Sequence, residues 1–166
     1  LLLVLWVAHS LDRGCVNTSI IRLSSAKRRA GGPGDGELLN CPLGIVVDAD
    51  GNLFVSDAGN NNIQKFTSTG TFITKWGTAG SGDGQFNVPR GIAVDSRGNV
   101  FVADSLNHRI QIFDTNGTFL TEFGSYGTGE GEFNEPWDTL VDNAGNVYVT
   151  DARNHRIQIF EPIPEA

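Results

Sequence analysis

The sequence contains no methionine, only two cysteines and three histidines, and twelve basic residues against nineteen acidic ones. Each shortage narrows what the chain can do. With Cys15 and Cys41 as the thiols and His9, His108 and His155 as the imidazoles, no set of residues has metal-ligand spacing. A His-Glu-x-x-His zinc motif, a serine nucleophile elbow and a Cys/His dyad are all missing, so no catalytic residues are assigned. The opening apolar run, Leu1 to Ala8, is eight residues long and lacks a basic segment before it. That is far short of the roughly 20 residues that cross a bilayer, and no membrane span is expected. A sustained helical period is also absent, which argues for an all-β chain.

What is present is repetition. Pro42-Leu-Gly-Ile-Val-Val-Asp48, Pro89-Arg-Gly-Ile-Ala-Val-Asp95 and Pro136-Trp-Asp-Thr-Leu-Val-Asp142 begin at steps of 47 residues. Asp57, Asp104 and Asp151 keep this register, as do Asn60, Asn107 and Asn154, and Phe66, Phe113 and Phe160. In the second copy, Gly91 to Asp95, Val100 to Ala103, Ile110 to Phe113 and Thr118 to Phe123 are short runs rich in Val, Ile, Phe and Thr. Gly, Asn and Asp clusters suited to tight turns separate them. Four antiparallel strands per repeat of this length predict a propeller blade, a unit that buries its apolar faces only against its neighbours.

The motifs Asn107-His-Arg-Ile-Gln and Asn154-His-Arg-Ile-Gln, preceded by Gly-Ile-Ala-Val-Asp and followed by Gly-Glu-Gly-Glu-Phe-Asn, resemble NHL repeats over roughly residues 34 to 160. The resemblance implies a β-propeller, most often six-bladed, without implying one function. The expected division is a degenerate blade at 1–41, blades at 42–88 and 89–135, and an incomplete blade at 136–166, about three and a half blades of a longer parent. Trp6-Val-Ala-His9-Ser-Leu-Asp12 aligns with Phe101-Val-Ala-Asp104-Ser-Leu-Asn107, which favours a decayed blade over a leader for the first segment. A half-propeller exposes blade faces, so self-association is a further expectation. Cys15 and Cys41 are expected to remain unpaired thiols.

Charge weighs against nucleic acid as the partner. Residues 1–29 carry +4, but residues 30–166 carry −11, and phosphate contacts need clustered basic groups. The segment Asp48-Ala-Asp50-Gly51-Asn52 looks like the start of a calcium loop, yet the sister turns at Asp95 and Asp142 lack its second carboxylate, so a hairpin turn is expected. The glycine-rich segments 77–84 and 124–131 carry acids and no P-loop lysine, and read as connections between blades. Nothing in the sequence implies a cofactor or a metal.

Residues present in every copy serve every blade, whereas a binding site breaks the symmetry. Asp57, Asp104 and Asp151 are therefore read as acceptors for loop donors. The largest departure is in the first strand, where Leu43-Gly44 and Arg90-Gly91 become Trp137-Asp138. These residues would lie at the mouth of the central channel. Asn61, Asn62, His108, Arg109, His155 and Arg156 would frame the same face, because loops after the second and fourth strands share one end of a propeller. The partner-binding candidates are thus Trp137, Asp138, Arg90 and those six. A non-catalytic scaffold for a protein or peptide is the expected function. The alternatives are a piece of a propeller hydrolase or lyase, for which family resemblance implies His or acidic metal ligands at the channel, and a sensor or adhesion domain at the cell surface.

Overall fold

A computed structural model of the chain describes residues 22–23, 26–27 and 39–162. The reading of residues 1–41 as a decayed blade falls almost wholly outside them. Within them, β1 (Arg22–Leu23) and β2 (Ala26–Lys27) pair antiparallel. The first full sheet contains β3 (Pro42–Val47), β4 (Leu53–Asp57), β5 (Asn62–Phe66) and β6 (Phe72–Trp76), in spatial order 3-4-5-6. Two short strands, β7 (Thr78–Ala79) and β8 (Gln85–Phe86), pair in parallel within the connection that follows. The second sheet is β9 (Pro89–Val94), β10 (Val100–Asp104), β11 (Arg109–Phe113) and β12 (Phe119–Phe123). The third has three strands among the described residues, β13 (Pro136–Val141), β14 (Val147–Asp151) and β15 (Arg156–Phe160).

The first hairpin of each blade is closed by its aspartate. Asp48 Oδ1 accepts the amides of Asp50 and Asn52 at 3.0 and 2.7 Å, and Oδ2 accepts the Asn52 side chain at 2.9 Å. Asp95 and Asp142 make the same bonds in their turns. A carboxylate that satisfies its own turn in this way is a backbone device, and the calcium-like spelling of the first copy changes nothing in the bonding.

Strand alternation then decides the packing, because successive side chains point to opposite faces of a blade. Phe54 and Ile63 of the first blade meet Phe86, Ile92, Val100, Val102 and Phe113 in one core. Ala93, Phe101, Ala103, Ile110 and Ile112 of the second blade meet Phe133, Val147 and Val149 in the next. Burying one such large side chain contributes about 1.5–3 kcal/mol. The inner strands β3, β9 and β13 run side by side, and glycine sets their separation. A Cβ on Gly44 would lie 2.4 Å from the Arg90 carbonyl oxygen, and one on Gly91 would lie 2.4 Å from the Asp138 Cα. The glycine of one blade thus admits the inner strand of the next.

Cys41 is disulfide-bonded, which corrects the expectation of unpaired thiols. The chain's other cysteine, Cys15, lies outside the described residues.

Candidate functional site

The end of the molecule where β4, β10 and β14 finish holds three copies of one hydrogen-bonded ring around a fully buried aspartate. Asp104 accepts the Asn87 amide at 2.7 Å, the Asn107 side chain at 2.8 Å, Arg109 Nε at 2.9 Å and Gln111 Nε2 at 3.0 Å. Asp151 repeats the set with Asn134, Asn154, Arg156 and Gln158. Asp57 has Asn40, Asn60 and Gln64 but no guanidinium, since Asn62 stands where the later blades have arginine. The electrostatic consequence follows. Burial pushes the Asp57 carboxyl above its ordinary value despite its amide and side-chain donors. Burial acts on Asp151 too, but the Asn134 amide, the Asn154 side chain and the Arg156 guanidinium outweigh it and hold that carboxyl below its ordinary value.

These rings absorb several of the residues expected at a partner surface. Arg109 is buried, and its remaining donors reach Glu122 and the carbonyls of Gly82 and Gln85. Arg156 reaches the carbonyls of Thr128, Gly129 and Glu132 in the same manner. Asn62 is buried with its Oδ1 lacking a hydrogen-bond partner. The expectation that Asn62 and Arg109 face outward is therefore corrected. In the second and third blades the aspartate at the end of the second strand draws the next strand's first side chain, an arginine, toward it.

Asn61 and His108 serve the joints between blades. Asn61 Oδ1 accepts the Val88 amide at 2.8 Å, and His108 Nδ1 accepts the Glu135 amide at 3.1 Å. All four residues have positive φ, between 53° and 58°. Such backbone is uncommon outside glycine and is unfavourable for a β-branched residue such as Val88, so the side-chain acceptor helps hold it. His155 occupies the equivalent place in the third blade, with φ 54°, and lines a shallow depression with Asp151, Ala152, Arg156 and Ile157.

Besides His155, the candidates not absorbed by the fold are Arg90, Trp137 and Asp138. The Arg90 guanidinium stacks on the Trp137 ring, with Cζ 3.8 Å from the ring centroid. Its Nε and Nη1 are buried and have no hydrogen-bond partner. Burial pulls this guanidinium below its ordinary pKa, the Glu135 carboxylate opposes that shift, and the Arg153 charge adds to it. Trp137 itself is 41% exposed. Asp138 lies in the glycine slot of the inner strand, where its amide donates to Thr150 Oγ1 at 2.8 Å and its Oδ1 accepts the Thr139 amide at 2.9 Å. Burial of the carboxyl group against the neighbouring strand raises its pKa, the Thr139 amide opposing.

Three further residues join this surface that the sequence reading did not single out. Arg153 Nε lies 3.3 Å from Glu135 Oε2, and the Tyr126 ring meets the His108 ring edge-on at 4.9 Å between centroids. The signal was available in the repeat register. Tyr126 replaces Ala79, Glu135 replaces Val88, and Arg153 replaces Leu106, each one step of 47 residues earlier. Among the described residues no group of three or more His, Cys, Asp and Glu side chains is arranged to hold a metal ion, and no helix is long and apolar enough to cross a membrane.

Radially stacked, four-stranded antiparallel sheets with their inner strands side by side define part of a β-propeller. The chain belongs to the NHL repeat family, whose model matches residues 39–66, 86–113 and 133–160. Over 44 residues it is 50% identical to protein lin-41 of Caenorhabditis elegans, a match covering 26% of this chain and 4% of that protein. It is similar in fold to a structural genomics protein of unknown function from Bacteroides thetaiotaomicron, with a TM-score of 0.63 at 21% identity, covering 71% of this chain and 34% of that one. It also resembles a catalytically inactive virginiamycin B lyase from Staphylococcus aureus solved with quinupristin, with a TM-score of 0.55 at 18% identity, covering 77% of this chain and 44% of the other. The chain thus spans less than half the length of each of these proteins.

Proposed function

We propose that this chain is a non-catalytic propeller scaffold that binds a protein or peptide partner on the loop face at the junction of the second and third blades. One observation carries the reading: residues that differ from blade to blade converge there. Asp138 replaces the glycine of both earlier blades, Tyr126, Glu135, Trp137 and Arg153 occupy positions at which the copies differ, and they gather around Arg90. The composition is also that of interaction hot spots, which favour Trp, Tyr and Arg. The acidic balance of residues 30–166 disfavours a polyanionic partner. In this proposal the blades divide at 42–88, 89–135 and 136–166, which places the whole patch across a single junction.

The test is selection of a displayed random-peptide library on the chain, followed by binding measurements with Trp137→Leu, which installs the residue of the first blade. Selected peptides should bind the variant about tenfold or more weakly, with an unchanged unfolding midpoint. Selected peptides that bind both forms alike would remove the reading.

A further inference from the structure

Arg90 presents an unusual donor set. Two of its guanidinium nitrogens, Nε and Nη1, are shut from solvent with no acceptor, beneath the ring of Trp137. Buried cationic donors are ordinarily hydrogen-bonded, and these two lack an acceptor although the Glu135 carboxylate acts on the charge from nearby. The carboxylates nearby in the fold are otherwise engaged. Glu135 forms an ion pair with Arg153, and Asp138 Oδ1 accepts the amide of Thr139.

We propose that Arg90, backed by Trp137, anchors a single carboxylate of the partner, so that the ligand is an acidic peptide. This rests on the scaffold reading above and names its chemistry. A carboxylate matches a parallel pair of guanidinium donors, here Nε or Nη1 together with Nη2, and stacking on an aromatic ring keeps their plane in place. One cation answers one carboxylate. A phosphate chain needs several, and here the second arginine, Arg153, is already paired while Glu135 and Asp138 repel further negative charge. A peptide is favoured over a free small acid because Trp137, at 41% exposure, and Tyr126, at 68%, offer ring surface beyond the charged contact. Access comes through Nη2, the guanidinium nitrogen that is not shut from solvent.

The experiment follows the Arg90 Nε–H resonance and the Trp137 emission of the labelled chain. The probes are an acetylated Gly-Gly-Asp-Gly-Gly amide, its Asn counterpart, and a six-nucleotide single-stranded RNA. The Asp peptide should shift the Arg90 resonance and quench Trp137, the Asn peptide should bind about tenfold or more weakly, and the RNA should bind more weakly than the Asp peptide. Arg90→Lys should retain part of the response and Arg90→Leu should lose it. If Arg90→Leu fails to fold, the comparison of Asp and Asn peptides on the native chain decides the matter alone. Equal response to the two peptides, an unmoved Arg90 resonance, or tighter binding of the RNA overturns the proposal. Library peptides that depend on Trp137 but carry no acidic residue would leave the scaffold reading standing and remove only the carboxylate assignment.

Discussion

Residues 107–113 and 154–160 have the same sequence, Asn-His-Arg-Ile-Gln-Ile-Phe, and sit at the same place in consecutive blades. Their local structures agree closely. His108 and His155 have φ of 58° and 54°, and the arginines that follow lie 2.9 and 2.8 Å from their aspartates. Their burial differs completely on one face. Ile110 and Ile112 are 0% and 4% exposed, whereas Ile157 and Ile159 are 65% and 63% exposed. The Gln and Phe of each segment pack toward the preceding blade, which is present in both cases. The two Ile residues point the other way, where the second blade meets the third and the third meets no further sheet among the described residues. A blade therefore carries its own hydrogen-bonded ring but borrows half its core from a neighbour.

The largest way to break this comparison is at the ring. Asp104→Ala leaves Arg109 buried with only the partly exposed Glu122 as counter-charge and strips the acceptor from Asn87, Asn107 and Gln111, and should destabilise the chain by about 3–5 kcal/mol in chemical denaturation. Asp57→Ala, in the blade whose ring has no arginine, should cost about 1–3 kcal/mol, the penalty for unsatisfied neutral donors. Equal midpoints for the two variants would show that the guanidinium adds nothing.

Next come the borrowed faces. Ile110→Ala should cost about 2–5 kcal/mol and Ile157→Ala no more than about 0.5 kcal/mol. A comparable loss at Ile157, with a concentration-dependent midpoint, would reveal that self-association covers the third blade's face. The glycine slot gives a smaller contrast. Gly91→Ala forces β9 and β13 apart and should cost about 1–3 kcal/mol, while Asp138→Gly, which restores the residue of the earlier blades, should stay within about 0.5 kcal/mol.

The smallest effect is in pH dependence. Asp151, held below its ordinary pKa, contributes stability that is present above the unfolded carboxylate range and lost as pH falls through its folded value. Asp57, pushed up by burial, behaves oppositely: its ionisation opposes folding, and protonation as pH falls through its raised value removes that penalty. Asn62→Arg should supply the missing guanidinium and bring Asp57 into line with Asp151. A carboxyl carbon titration by NMR would show the Asp57 midpoint moving to lower pH, and an unmoved midpoint would mean that the arginine does not reach it.

Much of the fold was legible because its causes are local. The 47-residue register located Asp48, Asp95 and Asp142 in turns and put Asp57, Asp104 and Asp151 beside the loops that follow their strands, and those aspartates bond to groups within a few residues or at the head of the same blade. The site was legible only in part. Trp137 and Asp138 stood out as departures from the pattern, but Tyr126, Glu135 and Arg153 needed the same comparison carried through the loops. Arg109 looked like a surface charge because nothing local in its sequence says that Glu122 and two carbonyls from the preceding connection close around it.

By itself, the sequence of this protein determined the period, the strands, the turns and the role of each second-strand aspartate as an acceptor, since these depend on hydrogen bonds and alternation within one repeat. Only the tertiary structure decided that Arg90 lies over Trp137, that Gly91 faces Asp138, and that one Ile-Gln-Ile-Phe run is buried while its twin is half exposed. Those contacts join residues 47 or so apart across a seam between sheets. Only the packing of one blade's face on the next brings such residues together.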